Sequence, residues 1–126
     1  MMSRRLLHAA LASLPIVVAS LPAHSAGDAT RGGTLYGSLC VGCHSLDENR
    51  VGPAHRGVFG RKAGSAPDYG YSSALASSRV VWSEETLDRW LTDPEKFIPG
   101  QKMSVSVAKE ADRQDLIAYL KAQSRK

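Results

Sequence analysis

The sequence predicts a small all-α domain in which four or five helices are joined by unusually long loops. Three observations predict this class. Apolar residues recur at helical spacing, no segment alternates polar and apolar residues as a strand would, and a stretch rich in Gly, Pro, Asn and Asp separates the helical segments. The 126 residues leave room for one domain with a modest core.

The first 26 residues are predicted to be a targeting segment rather than part of that domain. Two arginines precede an apolar run, 6–21, and small residues follow at 23–26. This order is typical of a secretory signal peptide cut after residue 25 or 26. A retained membrane anchor is the alternative, but the run is short for a span and contains Pro15. We therefore expect residues 27–126 to be a periplasmic domain without a further membrane span.

Charge gives no indication of nucleic-acid binding. The sequence has 16 Lys and Arg residues against 12 Asp and Glu residues. The signal segment holds two of the basic residues, so 14 remain against 12 acidic ones, a net charge of +2 for the rest of the chain. No run of Lys or Arg stands out, and scattered charges of this kind are typical of a solvated surface.

The helices are predicted from their apolar faces and end signals. They cover 28–39, a short stretch at 72–78, a segment from the N-cap residue Ser83 to a stop at Asp93-Pro94, and 109–123. Loops are predicted at 45–70 and 98–107. A loop as long as the first is unusual in a small domain unless something fills the space that it encloses.

Cys40 and Cys43 are the only cysteines in the sequence, and His44 follows them directly. A disulfide between them would constrain little of the chain, and a structural zinc site normally needs four ligands. A thioredoxin-type pair would need a βαβ context. The spacing is instead typical of one covalently attached c-type haem, to which each thiol adds through a vinyl group while the histidine coordinates the iron. A flat, apolar haem would also fill the space inside the long loop.

The second axial ligand of such a haem could be Met103 or His55. Met103 is the one methionine after the signal segment, in a loop whose Pro and Gly residues can present it inward. His55 lies eleven residues after His44 and would need a long detour to reach the other face of the haem. We therefore favour Met103 as a ligand, with His44, over Met103 as a core gap-filler. A thioether raises the reduction potential and closes the sixth position, which favours electron transfer over catalysis.

Several motifs in order resemble those of class I cytochromes c. They are Gly27-Asp28-Ala29, Val51-Gly52-Pro53, 57–64, 66–72, 81–87, the methionine loop 99–103 and the closing helix 115–121. The chain is thus similar to a small bacterial monohaem c-type cytochrome. The resemblance implies that helices and long loops wrap one covalent haem and that the first and last helices cross. Four residues are expected at that crossing: Gly32, Tyr36, Leu116 and Tyr119.

The resemblance also implies roles around the haem. The Pro53 carbonyl should accept the proton on the far nitrogen of His44 and so orient the ring. The haem propionate should be held by Arg61, Tyr71 and Trp82.

The sequence departs from the mitochondrial members of the family around the methionine. Trp90 stands where they have a tyrosine near the methionine sulfur, and Leu75 where they have an asparagine. Gln101 and Val105 replace a threonine and a phenylalanine. These exchanges make the methionine side less polar and put the partner contacts at the haem edge in doubt.

The function that the sequence predicts is single-electron transfer in the periplasm rather than catalysis. The protein would be a free shuttle or the cytochrome subunit of a dehydrogenase or respiratory chain. Its partners would be an unidentified redox donor and acceptor, and it would be a monomer or a subunit of a redox complex. Two alternatives stay open: a haem peroxidase or gas-binding sensor with a labile sixth ligand, and a haem-free thiol or structural protein.

Overall fold

The computed structural model describes residues 16–19 and 26–125. The predicted signal segment, 1–26, therefore lies outside the described residues except for 16–19 and Ala26. Within the described ranges, no helix combines the length and the apolar character that a bilayer crossing requires. The helices are α1 (Ala29–Leu39), α2 (Ser73–Ala76), α3 (Glu84–Thr92), α4 (Pro94–Phe97) and α5 (Glu110–Ala122). The all-α prediction is confirmed, since β-pairing in residues 16–19 and 26–125 is limited to one isolated bridge.

Short-range capping explains where the longer helices begin. The Asp28 carboxylate accepts hydrogen bonds from the backbone N–H groups of Thr30 and Arg31 at the start of α1. Ser83 and Thr86 form a capping box at the start of α3, where each side chain accepts from the other residue's backbone N–H. Such caps satisfy donors that have no partner inside the helix. The observed starts therefore fall within a residue of the predicted ones.

Helix α4 departs from the sequence prediction, in which Asp93-Pro94 ends the preceding helix and no helix follows directly. α3 does end at Thr92, but α4 begins directly at Pro94. Proline suits the first position of a helix because its missing N–H would have no intrahelical partner there. The Asp93 carboxylate then caps the new helix by accepting from the Lys96 N–H at 3.0 Å. The same dipeptide thus ends one helix and starts the next.

The first and last helices cross in backbone contact. Gly32 is buried in α1, and a Cβ at this position would lie 1.9 Å from the Asp115 carbonyl oxygen in α5. One turn further along, the rings of Tyr36 and Tyr119 pack with their centroids 5.1 Å apart. Leu116, 1% exposed, belongs to the same core cluster. The predicted crossing is confirmed, and Gly32 lies so close to the backbone of Asp115 that no side chain would fit between them.

The buried carboxylate of Asp115 links α5 to the start of α1 at this crossing. Asp115, 7% exposed, accepts a hydrogen bond of 2.7 Å from the Asp28 backbone N–H, 87 residues away. Arg31 forms ion pairs with both Asp115 and Asp112. Because a buried charge is tolerated only when it is paired and hydrogen-bonded, these contacts hold α1 in register on α5.

Arg113 joins α5 to α3 and to the loop before α5. Its Nε donates to the Asp88 carboxylate at 2.8 Å, and its Nη1 donates to the Val107 and Ala108 carbonyls at 3.0 and 2.9 Å. The Val107 N–H in turn donates to the Leu91 carbonyl of α3 at 2.7 Å. The C-terminal end of the loop is therefore fixed to α3.

Two distant loop segments, 60–63 and 80–82, pair through their backbones. The Trp82 N–H donates to the Arg61 carbonyl at 2.9 Å, and the Gly60 N–H donates to the Trp82 carbonyl at 2.7 Å. The Ala63 N–H donates to the Val80 carbonyl at 2.8 Å. This pairing brings Arg61 next to Trp82.

We expect Gly32→Ala to lower the free energy of unfolding by about 2 kcal/mol or more, because the added Cβ meets backbone that cannot rotate away. Gly37→Ala in the same helix is the control, since no described atom lies within 4 Å of a Cβ there. Removing an exposed helical glycine should stabilise the protein by about 0.5–1 kcal/mol. Denaturant unfolding followed by circular dichroism measures both. Equal stabilities of the two variants would contradict the crossing.

Candidate functional site

A cavity of 360 Å³ lies against α1, α3, α5 and the long loops. Its volume falls in the range of about 300–1,000 Å³ that is usual for small-molecule and cofactor sites. Much of its wall is core aliphatic side chain, including Leu75, Leu91 and Leu116. The structure brings all nine sequence-predicted site residues to this cavity: Cys40, Cys43, His44, Pro53, Arg61, Tyr71, Trp82, Trp90 and Met103.

The two cysteines and the histidine lie on one turn that continues α1. The backbone N–H groups of Cys43 and His44 both donate to the Cys40 carbonyl, at 3.1 and 2.9 Å. Burial raises the pKa of the Cys40 thiol to about 11. Thiols that act in disulfide exchange have a lowered pKa, so the environment of Cys40 does not favour a thioredoxin-type redox pair. Among the described residues, no three or more His, Cys, Asp and Glu side chains lie together in a group that could hold a metal ion.

The His44 ring is buried and oriented by a backbone carbonyl. Its Nδ1 lies 2.8 Å from the Pro53 carbonyl oxygen, the contact that the family resemblance implies. Since a carbonyl can only accept, Nδ1 carries the proton and Nε2 keeps its lone pair for a metal. Burial lowers the pKa of His44, and the hydrogen bond to Pro53 partly opposes this. The ring is therefore a neutral imidazole with a free donor nitrogen.

Gly52 is a site residue to which the sequence analysis gave no role. A Cβ at this position would lie 2.1 Å from Cε1 of His44 and 2.5 Å from its Nδ1. The Gly52 N–H also donates to the Cys43 carbonyl at 2.9 Å, which holds the two segments together. The absence of a side chain at Gly52 is what leaves room for the His44 ring.

His55, considered in the sequence only as a ligand, stacks on His44. The two ring centroids are 3.9 Å apart with an angle of 20° between the planes. Its Nδ1 also lies 3.0 Å from the Tyr36 hydroxyl. Burial lowers the pKa of His55 to about 3, and His44 and Arg61 add to the shift. A neutral imidazole thus packs against His44, a tertiary contact that no local pattern indicates.

Arg61 lines the cavity and carries one unsatisfied hydrogen-bond donor. Its Nη2 donates to the Ala54 carbonyl at 3.0 Å, but its buried Nε has no hydrogen-bond partner among residues 16–19 and 26–125. Nearby, the Tyr71 hydroxyl accepts from the Ala66 N–H at 3.0 Å, so its own proton can be donated elsewhere. Trp82 is 7% exposed beside them. A carboxylate in the cavity would satisfy the Arg61 donor, as a haem propionate would.

The remaining wall carries Met103 and aromatic side chains. Trp90 packs against Trp82 with ring centroids 5.3 Å apart. Met103 is partly buried in the loop between α4 and α5 and lines the same cavity. The residues therefore fit a haem by their chemistry: two thiols for attachment, an imidazole and a thioether for iron, and a partly buried guanidinium for a carboxylate.

Comparisons with known proteins agree with this chemistry. The family model described as cytochrome c matches residues 29–124. Cytochrome c of Gibberella zeae is 42% identical over 99 residues, which cover 75% of this chain and 93% of that protein. Cytochrome c of Euglena viridis is 44% identical over 98 residues, covering 75% and 96%. The solved structure of cytochrome cH from Methylobacterium extorquens superimposes with a TM-score of 0.73 at 41% identity, covering 76% of this chain and 99% of that one.

We expect Gly52→Ala to displace the His44 ring, because the new methyl group overlaps it. Overpacking of this kind costs about 1–3 kcal/mol. The hydrogen bond from His44 to Pro53 should be lost with it. Denaturant unfolding and the NMR signal of the His44 Nδ1 proton would measure the two effects.

Gly42→Ala is the matched control. Gly42 lies between the two cysteines, and no described atom falls within 4 Å of a Cβ there. This variant should keep both the stability and the His44 Nδ1 signal. If Gly52→Ala did the same, the close packing of Gly52 on His44 would be wrong.

Proposed function

The chain belongs to the cytochrome c family, and we propose on that premise that it is a periplasmic electron carrier with His44 and Met103 as its axial haem ligands. Members of this family carry one covalently attached haem c and transfer electrons through it. The observation that carries the proposal is that Met103 lines the same cavity as Cys40, Cys43 and His44. Segments 59 residues apart in the chain thus offer an imidazole and a thioether to one site.

Each group around the cavity has a defined task in this proposal. Cys40 and Cys43 hold the haem through thioether bonds, and His44 and Met103 bind its iron. Pro53 fixes the imidazole, as partners of metal-bound histidines generally do. A propionate is held by three residues: Arg61, Tyr71 and Trp82. Trp90 covers the methionine side.

When bound, the haem iron supplies the one-electron redox chemistry. The chain excludes water from the site with its aliphatic and aromatic wall, and it offers two ligands on segments that hydrogen bonds hold in place. With His44 and Met103 both bound to the iron, the site would leave no open position for a substrate, which would suit electron transfer rather than catalysis at the metal. These properties suit electron transfer to and from redox partners, either by a free shuttle or by a subunit of a dehydrogenase or respiratory complex.

Export is part of the proposal. The family match begins at residue 29, and the Euglena viridis relative is covered to 96% of its length by the aligned 98 residues. The segment 1–26 precedes the residues that the family model matches, and its charged, apolar and small-residue order supports a signal peptide.

We expect Met103→Ala to abolish the methionine-to-iron charge-transfer band of the ferric protein and to lower the reduction potential, because a soft ligand favouring ferrous iron is lost. The opened position should also allow rapid carbon monoxide binding by the ferrous protein. Ser106→Ala is the control, since Ser106 is exposed in the same loop and does not line the cavity. Rapid carbon monoxide binding by the unmodified protein would instead favour a gas sensor or peroxidase.

We expect the full-length chain, expressed in a Gram-negative host with haem-attachment machinery, to appear in the periplasm beginning at residue 26 or 27. Fractionation followed by N-terminal sequencing would measure this. Replacing two leucines of the 6–21 run by aspartates should abolish export, because a signal needs its apolar region. Recovery in the membrane fraction with the first residues still present would instead indicate a retained anchor.

A further inference from the structure

The loop that carries Met103 is held by few backbone contacts. Among the described residues, segment 99–107 donates two backbone–backbone hydrogen bonds: Gln101 N–H to the Ile98 carbonyl at 3.2 Å, and Val107 N–H to the Leu91 carbonyl at 2.7 Å. Met103 lies between these two attachments and belongs to neither. Its position therefore depends on side-chain contacts.

The Gln101 side chain supplies those contacts by binding both main-chain groups of Met103. Its Nε2 donates to the Met103 carbonyl at 2.8 Å, and its Oε1 accepts from the Met103 N–H. The amide is placed so that its nitrogen faces a carbonyl and its oxygen faces an N–H, which fixes its orientation chemically. One side chain thus forms hydrogen bonds with both the N–H and the carbonyl of Met103, which is the pattern that a neighbouring β-strand would provide.

Glu95 orients the Gln101 amide from α4. Its Oε2 accepts from Gln101 Nε2 at 3.3 Å, and its Oε1 accepts from the Gly100 N–H at 2.9 Å. Gly100 has a φ of +89°, the left-handed conformation that lets the loop turn back toward Gln101. α4 is itself anchored, because Pro94 is buried and Asp93 caps the helix. A continuous set of contacts therefore runs from α4 through Glu95 and Gln101 to Met103.

We propose that Gln101, oriented by Glu95, is a positioning residue that holds the Met103 backbone so that its side chain stays in the haem site, and that it thereby sets how easily an external ligand displaces Met103 from the iron. The proposal rests on the proposed function, since it takes Met103 as an iron ligand. A thioether is a weak, neutral donor. The equilibrium between bound and displaced methionine therefore follows the conformational preference of the loop, and an external ligand binds in proportion to the displaced fraction.

Imidazole titration of the ferric, haem-loaded protein tests this, with the charge-transfer band reporting Met103 and the Soret band reporting imidazole. Gln101→Ala should lower the apparent Kd of imidazole about tenfold, since two side-chain-to-backbone hydrogen bonds are lost. Glu95→Ala should lower it about threefold, because it removes the contacts that orient the amide. Ser106→Ala, in the same loop, should leave the Kd within about twofold of that of the unmodified protein.

A second titration in a Met103→Ala background separates positioning of the methionine from a general loosening of the fold. If Gln101 acts through Met103, adding Gln101→Ala to Met103→Ala changes the Kd by less than about twofold. A Kd unchanged in the single variant, or changed equally in both backgrounds, overturns the positioning role.

The failure of the inference and that of the proposed function give different results. If the unmodified ferric protein shows a charge-transfer band that Met103→Ala removes, while Gln101→Ala leaves the imidazole Kd unchanged, the Gln101 role alone is overturned. If the unmodified protein lacks the band and Met103→Ala does not alter the Kd, Met103 ligation is overturned together with the inference.

Discussion

Because Gly32 has no side chain, α1 and α5 approach to backbone contact, and both halves of the site are positioned from that crossing. α1 runs directly into the turn that carries Cys40, Cys43 and His44, so the angle at which it crosses α5 decides where these groups lie. α5 reaches the other half through Arg113, whose guanidinium holds the end of the loop that contains Met103. The turn 40–44 and the end of the Met103 loop lie far apart in the sequence, and contacts of α1 and α5 position both of them.

Hydrogen bonding around the cavity is distributed unevenly. Arg61 brings a partly buried positive charge and an unsatisfied donor to the wall, where a counter-charge would stabilise them. On the methionine side, the polar contacts are made to the backbone of the loop, while Trp90 and Leu75 supply cavity lining. Gln101 makes these polar contacts, since its amide forms hydrogen bonds with both main-chain groups of Met103.

Features set by neighbouring residues were predictable from the sequence. Asp28 and Ser83 mark helix starts because a cap acts on the next two or three residues, and both helices begin where expected. The haem-attachment motif is equally local, and the family comparisons confirm its cofactor. Asp93-Pro94 shows the limit of such signals. A proline that cannot continue one helix can begin another. Which of the two roles applies depends on the path of the chain after the proline, and the local sequence does not indicate that path.

Features that depend on distant contacts were predictable only where the family resemblance implied them, as for the crossing of α1 and α5. The stacking of His55 on His44 and the packing of Gly52 under the same ring require the long loop to fold back on the end of α1. The pairing that brings Arg61 beside Trp82 joins residues 21 positions apart in loops without a strand pattern. Gln101 was visible as a departure from the family, but its hold on Met103 follows from the geometry of Gly100 and the placement of Glu95. The residues that line the site could thus be predicted from sequence motifs, whereas most of the contacts that hold them in position could not.

The crossing of the terminal helices also has a consequence for the order of events during biosynthesis. The partner of α1 is α5, the last of the described helices in chain order, so α1 cannot dock until α5 has been made. Contacts between helices that are far apart in the sequence form slowly, because the long intervening chain must close into a loop before the contacts can stabilise the fold. Until then, the segment that carries Cys40 and Cys43 lacks the α1–α5 contact that positions it in the folded protein. The topology itself thus provides a window in which covalent modification of the two thiols can precede folding.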